Sequence, residues 1–135
     1  MRFQQAIPPL AAALLGWSLP GLCAPVDELL QRYASEGARG ADAAAAEAQW
    51  DKGFIDAASG ETRRCSTCHT KDLKARGKHA TTGKVIEPLA PSVNPKRLTD
   101  VKEIEKWFLR NCKWTKGREC TPQEKSNYLA MIRSK

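Results

Sequence analysis

The stretch RRCSTCHT, residues 63–70, carries a C-x-x-C-H at Cys65, Cys68 and His69. Two thiols separated by two residues match the spacing of the two vinyl groups of a haem, to which each adds as a thioether. An imidazole directly after the second cysteine reaches the iron from the same turn, as proximal ligand. Two other chemistries use paired cysteines. A thioredoxin-like pair needs a βαβ surround, and no such pattern flanks this motif. A zinc site needs further ligands at metal spacing, and the other cysteines suit a disulfide. The motif therefore predicts one covalent haem c, attached through Cys65 and Cys68, with His69 on the iron.

Upstream, MRFQQAIPPLAAALLGWSLPGLCAPV (residues 1–26) places Arg2 before a short apolar run from Leu10 to Leu19. That run is too short for a comfortable membrane span and reads as a cleavable secretory signal, residues 1–24. The mature chain is then expected in the periplasm, with no stable membrane insertion. Of the five cysteines in the sequence, Cys65, Cys68, Cys112 and Cys120 lie beyond the signal. An oxidising compartment permits both thioethers and disulfides.

Charge divides sharply along the chain. Pro25 to Glu61 carries 3 basic and 8 acidic residues, net −5, and Thr62 to Lys135 carries 18 basic and 7 acidic, net +11. In an exported protein this balance points to acidic protein partners or a solvated face rather than to nucleic acid. Lys113, Lys116 and Arg118, with Lys71, Lys74 and Lys78, form one candidate docking face; solvated charge is the alternative.

Residues 25–40 read as a helical lead-in, with Leu29, Leu30 and Tyr33 near helical spacing. Residues 41–135 read as the haem domain. Its first helix is alanine-rich and is expected to run past Trp50, Phe54 and Ile55 to Gly60, with Gly53 inside it. Lys74 to Leu98 is kept irregular by Gly77, Gly83, Pro88, Pro91 and Pro95, and a loop that long is usually functional or wrapped around something. Thr99 is expected to cap the next helix. The last helix opens on Thr121-Pro122-Gln123-Glu124, a capping box with Pro at the first position. The expected fold is all-α, helices and a long loop wrapped round one haem, with no strands.

The iron needs a sixth position filled, blocked or left open. Met131 lies among Leu129 and Ile132 on the last helix and reads as core. His79 lies in a basic, glycine-rich segment, and Asn94 precedes a proline, where Asn starts turns. Asn111 differs from these. It shares the apolar stripe of its helix with Val101, Ile104 and Phe108, spaced 3, 4 and 3. A buried amide without a partner costs on the order of 1–3 kcal/mol. Either a backbone group or the iron should meet it.

Taken together, CSTCH, TTGKVIEPLAPS, VKEIEKWFLRNC and GRECTPQEK resemble the sphaeroides haem protein (SHP) family of mono-haem c-type cytochromes, from Thr62 to about Arg133. The resemblance implies a class I-like cytochrome c fold. It implies an axial Asn just before a disulfide cysteine, here Asn111, and a Cys112–Cys120 disulfide. It also implies binding of small gases such as O2 and NO once the haem is reduced and the Asn leaves, with CO as a probe of the same site. The redox partners it implies are c-type or b-type cytochromes. The residues agree with this independently: an amide oxygen is a hard, weak ligand that suits Fe(III) better than Fe(II). A helix end that frays lets such a ligand move. Two other functions compete. One is a plain electron carrier with Met131 or His79 on the iron. The other is a haem enzyme acting on a small oxygen or nitrogen species, although no distal acid–base pair is evident.

Overall fold

The computed structural model describes residues 24–135. The expected leader lies outside the described residues apart from Ala24, where the first helix begins. That helix, α1 (Ala24–Ser35), projects Val26, Leu29 and Tyr33 from one side, as spacings of 3 and 4 dictate. All three are almost wholly buried, against Ile104 and Leu129 of the two long helices. Burying a leucine side chain is worth about 1.5–3 kcal/mol, so α1 is part of the core it packs on. Leu29→Ala is expected to cost about 2–5 kcal/mol of unfolding free energy, measured by denaturant titration of the holoprotein.

Helix α2 (Ala43–Trp50) is capped by Asp42, whose carboxylate accepts the Ala45 N–H at 3.1 Å. It stops at Trp50, ten residues short of the expected Gly60. Phe54–Ile55 is instead strand β1, paired antiparallel with β2 (Thr62–Arg63), Phe54 opposite Arg63. Gly53 serves this hairpin rather than a helix: a Cβ there would stand 2.6 Å from the Thr62 methyl. The tertiary pairing thus overrides a helical propensity that is only a weak prior.

Next come α3 (Cys65–His69), a second short ladder of β3 (Gly77–Lys78) with β4 (Val85–Ile86), α4 (Val101–Lys116) and α5 (Pro122–Arg133). The fold is helix-dominated, as expected, but the two small ladders correct the expectation of no strands. Helix α4 also starts one residue later than expected. Asp100 is its N-cap and accepts the Glu103 N–H at 2.8 Å, while the Thr99 hydroxyl donates back to the Lys96 carbonyl. Its C-terminus closes on Gly117 with φ +69°, the left-handed turn glycine adopts without strain. Helix α5 opens with the expected capping box of Thr121 and Glu124 and with Pro122 at its first position.

Helix α5 lies against both α1 and α2. A second buried cluster joins Trp50, Leu73, Cys112, Cys120, Tyr128 and Met131. Phe108 touches both clusters. This frame leaves one large concavity between α3, α4 and the tract from His79 to Leu98.

Candidate functional site

The concavity measures about 810 Å3, and Cys65, Cys68, His69 and Asn111 are all on its wall. That volume sits at the upper end of the ~300–1,000 Å3 usual for ligand and cofactor sites. Most of its surface is apolar, with Leu89, Ile104, Phe108 and Ile132 contributing. Three tryptophans, Trp50, Trp107 and Trp114, also line it.

Helix α3 is a single short turn, so its position is fixed from outside. At its end Thr70 takes φ +63°, and its carbonyl accepts the Trp50 indole N–H at 2.7 Å. The Trp50 ring stands 5.9 Å from the His69 ring. On the other side β3 passes directly over the last turn. A Cβ at Gly77 would lie 2.0 Å from the Cys68 carbonyl oxygen, so only glycine allows this approach. The hairpin also delivers the Ala80 N–H to the Cys68 sulfur at 3.4 Å.

Both Cys65 and Cys68 are unpaired and half-buried. Burial pushes the Cys65 thiol up, against the nearby Lys116 charge. His69 is held down to about 4, first by burial and then by the Arg97 guanidinium. Its imidazole is therefore neutral above that range, the form a metal accepts. His69 Nδ1 is buried with no hydrogen-bond partner among the described residues. The other nitrogen, Nε2, faces the Asn111 side-chain amide at 3.5 Å. The oxygen and nitrogen of that amide are interchangeable by a flip.

The other expected groups are placed differently. Met131 is buried in the core with Trp50 and Tyr128 and is not on the cavity wall. His79 is on that wall, and its Nδ1 accepts the Thr81 and Thr82 N–H groups at 3.3 and 3.1 Å, a turn-forming role. Asn94 donates to the Pro88 carbonyl at 2.9 Å. The structure pairs Cys112 with Cys120, with Cα atoms 5.5 Å apart. Among the described residues no group of three or more His, Cys, Asp and Glu stands together to hold a metal ion. The zinc alternative therefore has no ligand set there.

Lys116 departs from the sequence reading, which placed it on an exposed docking face. Its side chain is 2% exposed and bonds Glu124 at 2.6 Å. The ammonium lies 5.1 Å from the Phe54 ring centre and 5.2 Å from that of Tyr128. Glu124 was visible only as a cap. Arg97 was not singled out at all. It lines the cavity and donates to the Pro88 and Glu87 carbonyls. No local signal marks either role.

A helical fold closed around an apolar cavity, with two free thiols and an imidazole on one wall, fits a covalently held haem and defines a c-type cytochrome. Residues 36–132 match the family described as domain of unknown function (DUF1924). The cytochrome c-type protein SHP of Cereibacter sphaeroides is 40% identical over 126 residues, 91% of this chain and 93% of the relative. Cytochrome c'' of Methylophilus methylotrophus is 43% identical over 74 residues, 55% of this chain and 51% of the relative. Among solved structures, oxidized cytochrome c'' of that organism superposes with a TM-score of 0.71 at 30% identity, covering 84% of this chain and 96% of its own. Oxidized SHP, an oxygen-binding cytochrome c, superposes with a TM-score of 0.68 at 39% identity, covering 82% and 96%. The chain belongs to the SHP family of mono-haem c-type cytochromes. Its cofactor is haem c.

Proposed function

We propose that this protein is a periplasmic cytochrome that couples electron transfer to redox-gated binding of small ligands such as O2, NO and CO. One observation carries the reading: the Asn111 amide stands 3.5 Å from His69 Nε2, both on the wall of the cavity. When bound, the haem would supply a one-electron iron couple. Cys65 and Cys68 would tether it, and His69 would supply one ligand nitrogen. Asn111 would supply a second ligand, a hard amide oxygen that suits ferric iron better than ferrous iron, so reduction would favour its release. The Cys112–Cys120 disulfide begins at the next residue and limits how far Asn111 travels.

The oxygen-binding SHP supports a site that opens to small ligands. Residues 1–24 are read as the export signal, residues 25–40 as the lead-in and 41–135 as the haem domain. No helix among the described residues is long and apolar enough to cross a membrane. The redox partners are c-type or b-type cytochromes with acidic surfaces, met by the exposed cations Lys71, Lys74, Lys78 and Lys113, with a solvated face as the alternative; Arg118 is held by Glu124.

Optical titration of the holoprotein tests the reading. The ferric form should be six-coordinate without the charge-transfer band of a Met sulfur ligand. The dithionite-reduced form should bind one CO per haem. A reduced protein that binds no CO is a plain electron carrier, and the gating fails.

A further inference from the structure

Glu124 gathers four donors onto one carboxylate. Its Oε1 accepts Lys116 Nζ at 2.6 Å and one Arg118 nitrogen at 2.9 Å. Its Oε2 accepts the other Arg118 nitrogen at 2.8 Å and the Thr121 N–H at 2.9 Å. Arg118 above all, then Lys116 and the Thr121 N–H, hold this carboxyl down to about 2 against the opposing effect of burial. The donors come from three places: the last residue of α4, the loop inside the disulfide, and the N-cap of α5.

Lys116 follows Asn111 by five residues, about 7.5 Å along the helix axis. The last four carbonyls of a helix lack intrahelical donors, so an unrestrained α4 would fray from Lys116 back towards Asn111. The disulfide ties Cys112 to Cys120 but makes no bond to the residues between them, where the Lys113 carbonyl accepts the Gly117 N–H at 3.1 Å. A buried ammonium that loses its carboxylate is strongly penalised, so Lys116 cannot easily leave while Glu124 is in place. Arg63 adds a second brace by donating to the Trp114 carbonyl at 3.0 Å.

We infer that the Lys116–Glu124–Arg118 cluster is a clamp that holds the last turn of α4 and so positions Asn111 for its place on the iron. These are positioning residues, and the inference rests on Asn111 being the sixth ligand. Held in helical register, Asn111 loses little freedom on binding. With the clamp released, the same weak bond must also order the turn, and an outside ligand displaces it more readily.

The test uses cyanide as competitor for the ferric holoprotein, in the Asn111 and Asn111→Ala backgrounds. Lys116→Met with Glu124→Gln removes the clamp without stranding a charge, and Gln at this position can still serve the capping box. This pair should tighten cyanide binding about five- to tenfold. Arg118→Ala, at an exposed residue, should tighten it by a smaller factor, and it keeps the test available if the buried pair does not fold. In the Asn111→Ala background both effects should vanish. Unchanged cyanide affinity in the clamp variants overturns the clamp. So does an equal shift in both backgrounds, which would mean the Lys116 charge acts on the haem directly. If Asn111→Ala alone leaves cyanide affinity unchanged, the ligand assignment itself fails and the clamp with it.

Discussion

Replacing Asn111 with alanine should convert the ferric protein to a high-spin or water-ligated spectrum while leaving a ferrous protein that still binds CO. The amide is the one side chain on α4 that faces His69 Nε2, and its companions on that stripe, Ile104 and Phe108, carry no ligand atom. Deleting it removes a ferric bond and leaves the ferrous site as it already is. Ferric affinity for cyanide should rise at least about tenfold, equivalent to ~1.4 kcal/mol of lost competition. Asn111→His should do the reverse. A soft-tolerant imidazole stays bound in both states, so CO binding should weaken. A ferric Ala spectrum indistinguishable from wild type would remove Asn111 from the iron. His79 would then be the next residue to test, since Met131 is packed in the core.

Changing Cys65 and Cys68 together to serine should abolish covalent haem and, with it, most of the native fold. Mass spectrometry of the mature wild-type protein should show one haem added, and none in the variant. The folding consequence follows from the apolar wall: without haem, Leu89, Ile104, Phe108 and Ile132 line a concavity of about 810 Å3 with nothing apolar to cover them, and apolar surface left in water forfeits its share of the stability. The variant should lose near-ultraviolet circular dichroism, bind a hydrophobic dye, and keep only part of its helical signal. A variant as cooperative as the holoprotein would show that the polypeptide does not depend on haem for its core.

The parts of this site that could be read from sequence are the local ones. C-x-x-C-H is legible because the chemistry demands that spacing within a single turn. Asn111 is legible because a polar group interrupts an apolar stripe, although its side chain is exposed at the cavity wall rather than buried as that stripe implies; the α5 cap is legible because Thr121 and Glu124 are three residues apart. What was missed depends on distant partners. The alanine-rich run stops at Trp50 because Phe54 and Ile55 pair with Arg63 and Thr62, and no pattern within residues 41–60 announces that hairpin. Asp100 displaces Thr99 as a cap because the Thr99 hydroxyl is taken by Lys96. In the sequence Lys116 is one more lysine of a basic segment, and only the fold brings Glu124, Phe54 and Tyr128 around it. Gly77 read as a loop glycine, whereas its role is set by Cys68, nine residues earlier.

The three tryptophans on the cavity wall make the chain its own gauge. Trp50, Trp107 and Trp114 are the only tryptophans after residue 24, and each lines the cavity. A porphyrin seated there would accept excitation energy from all of them, so indole emission is expected to be strong in the haem-free chain and to fall as haem is installed. Cofactor occupancy can therefore be followed without a label.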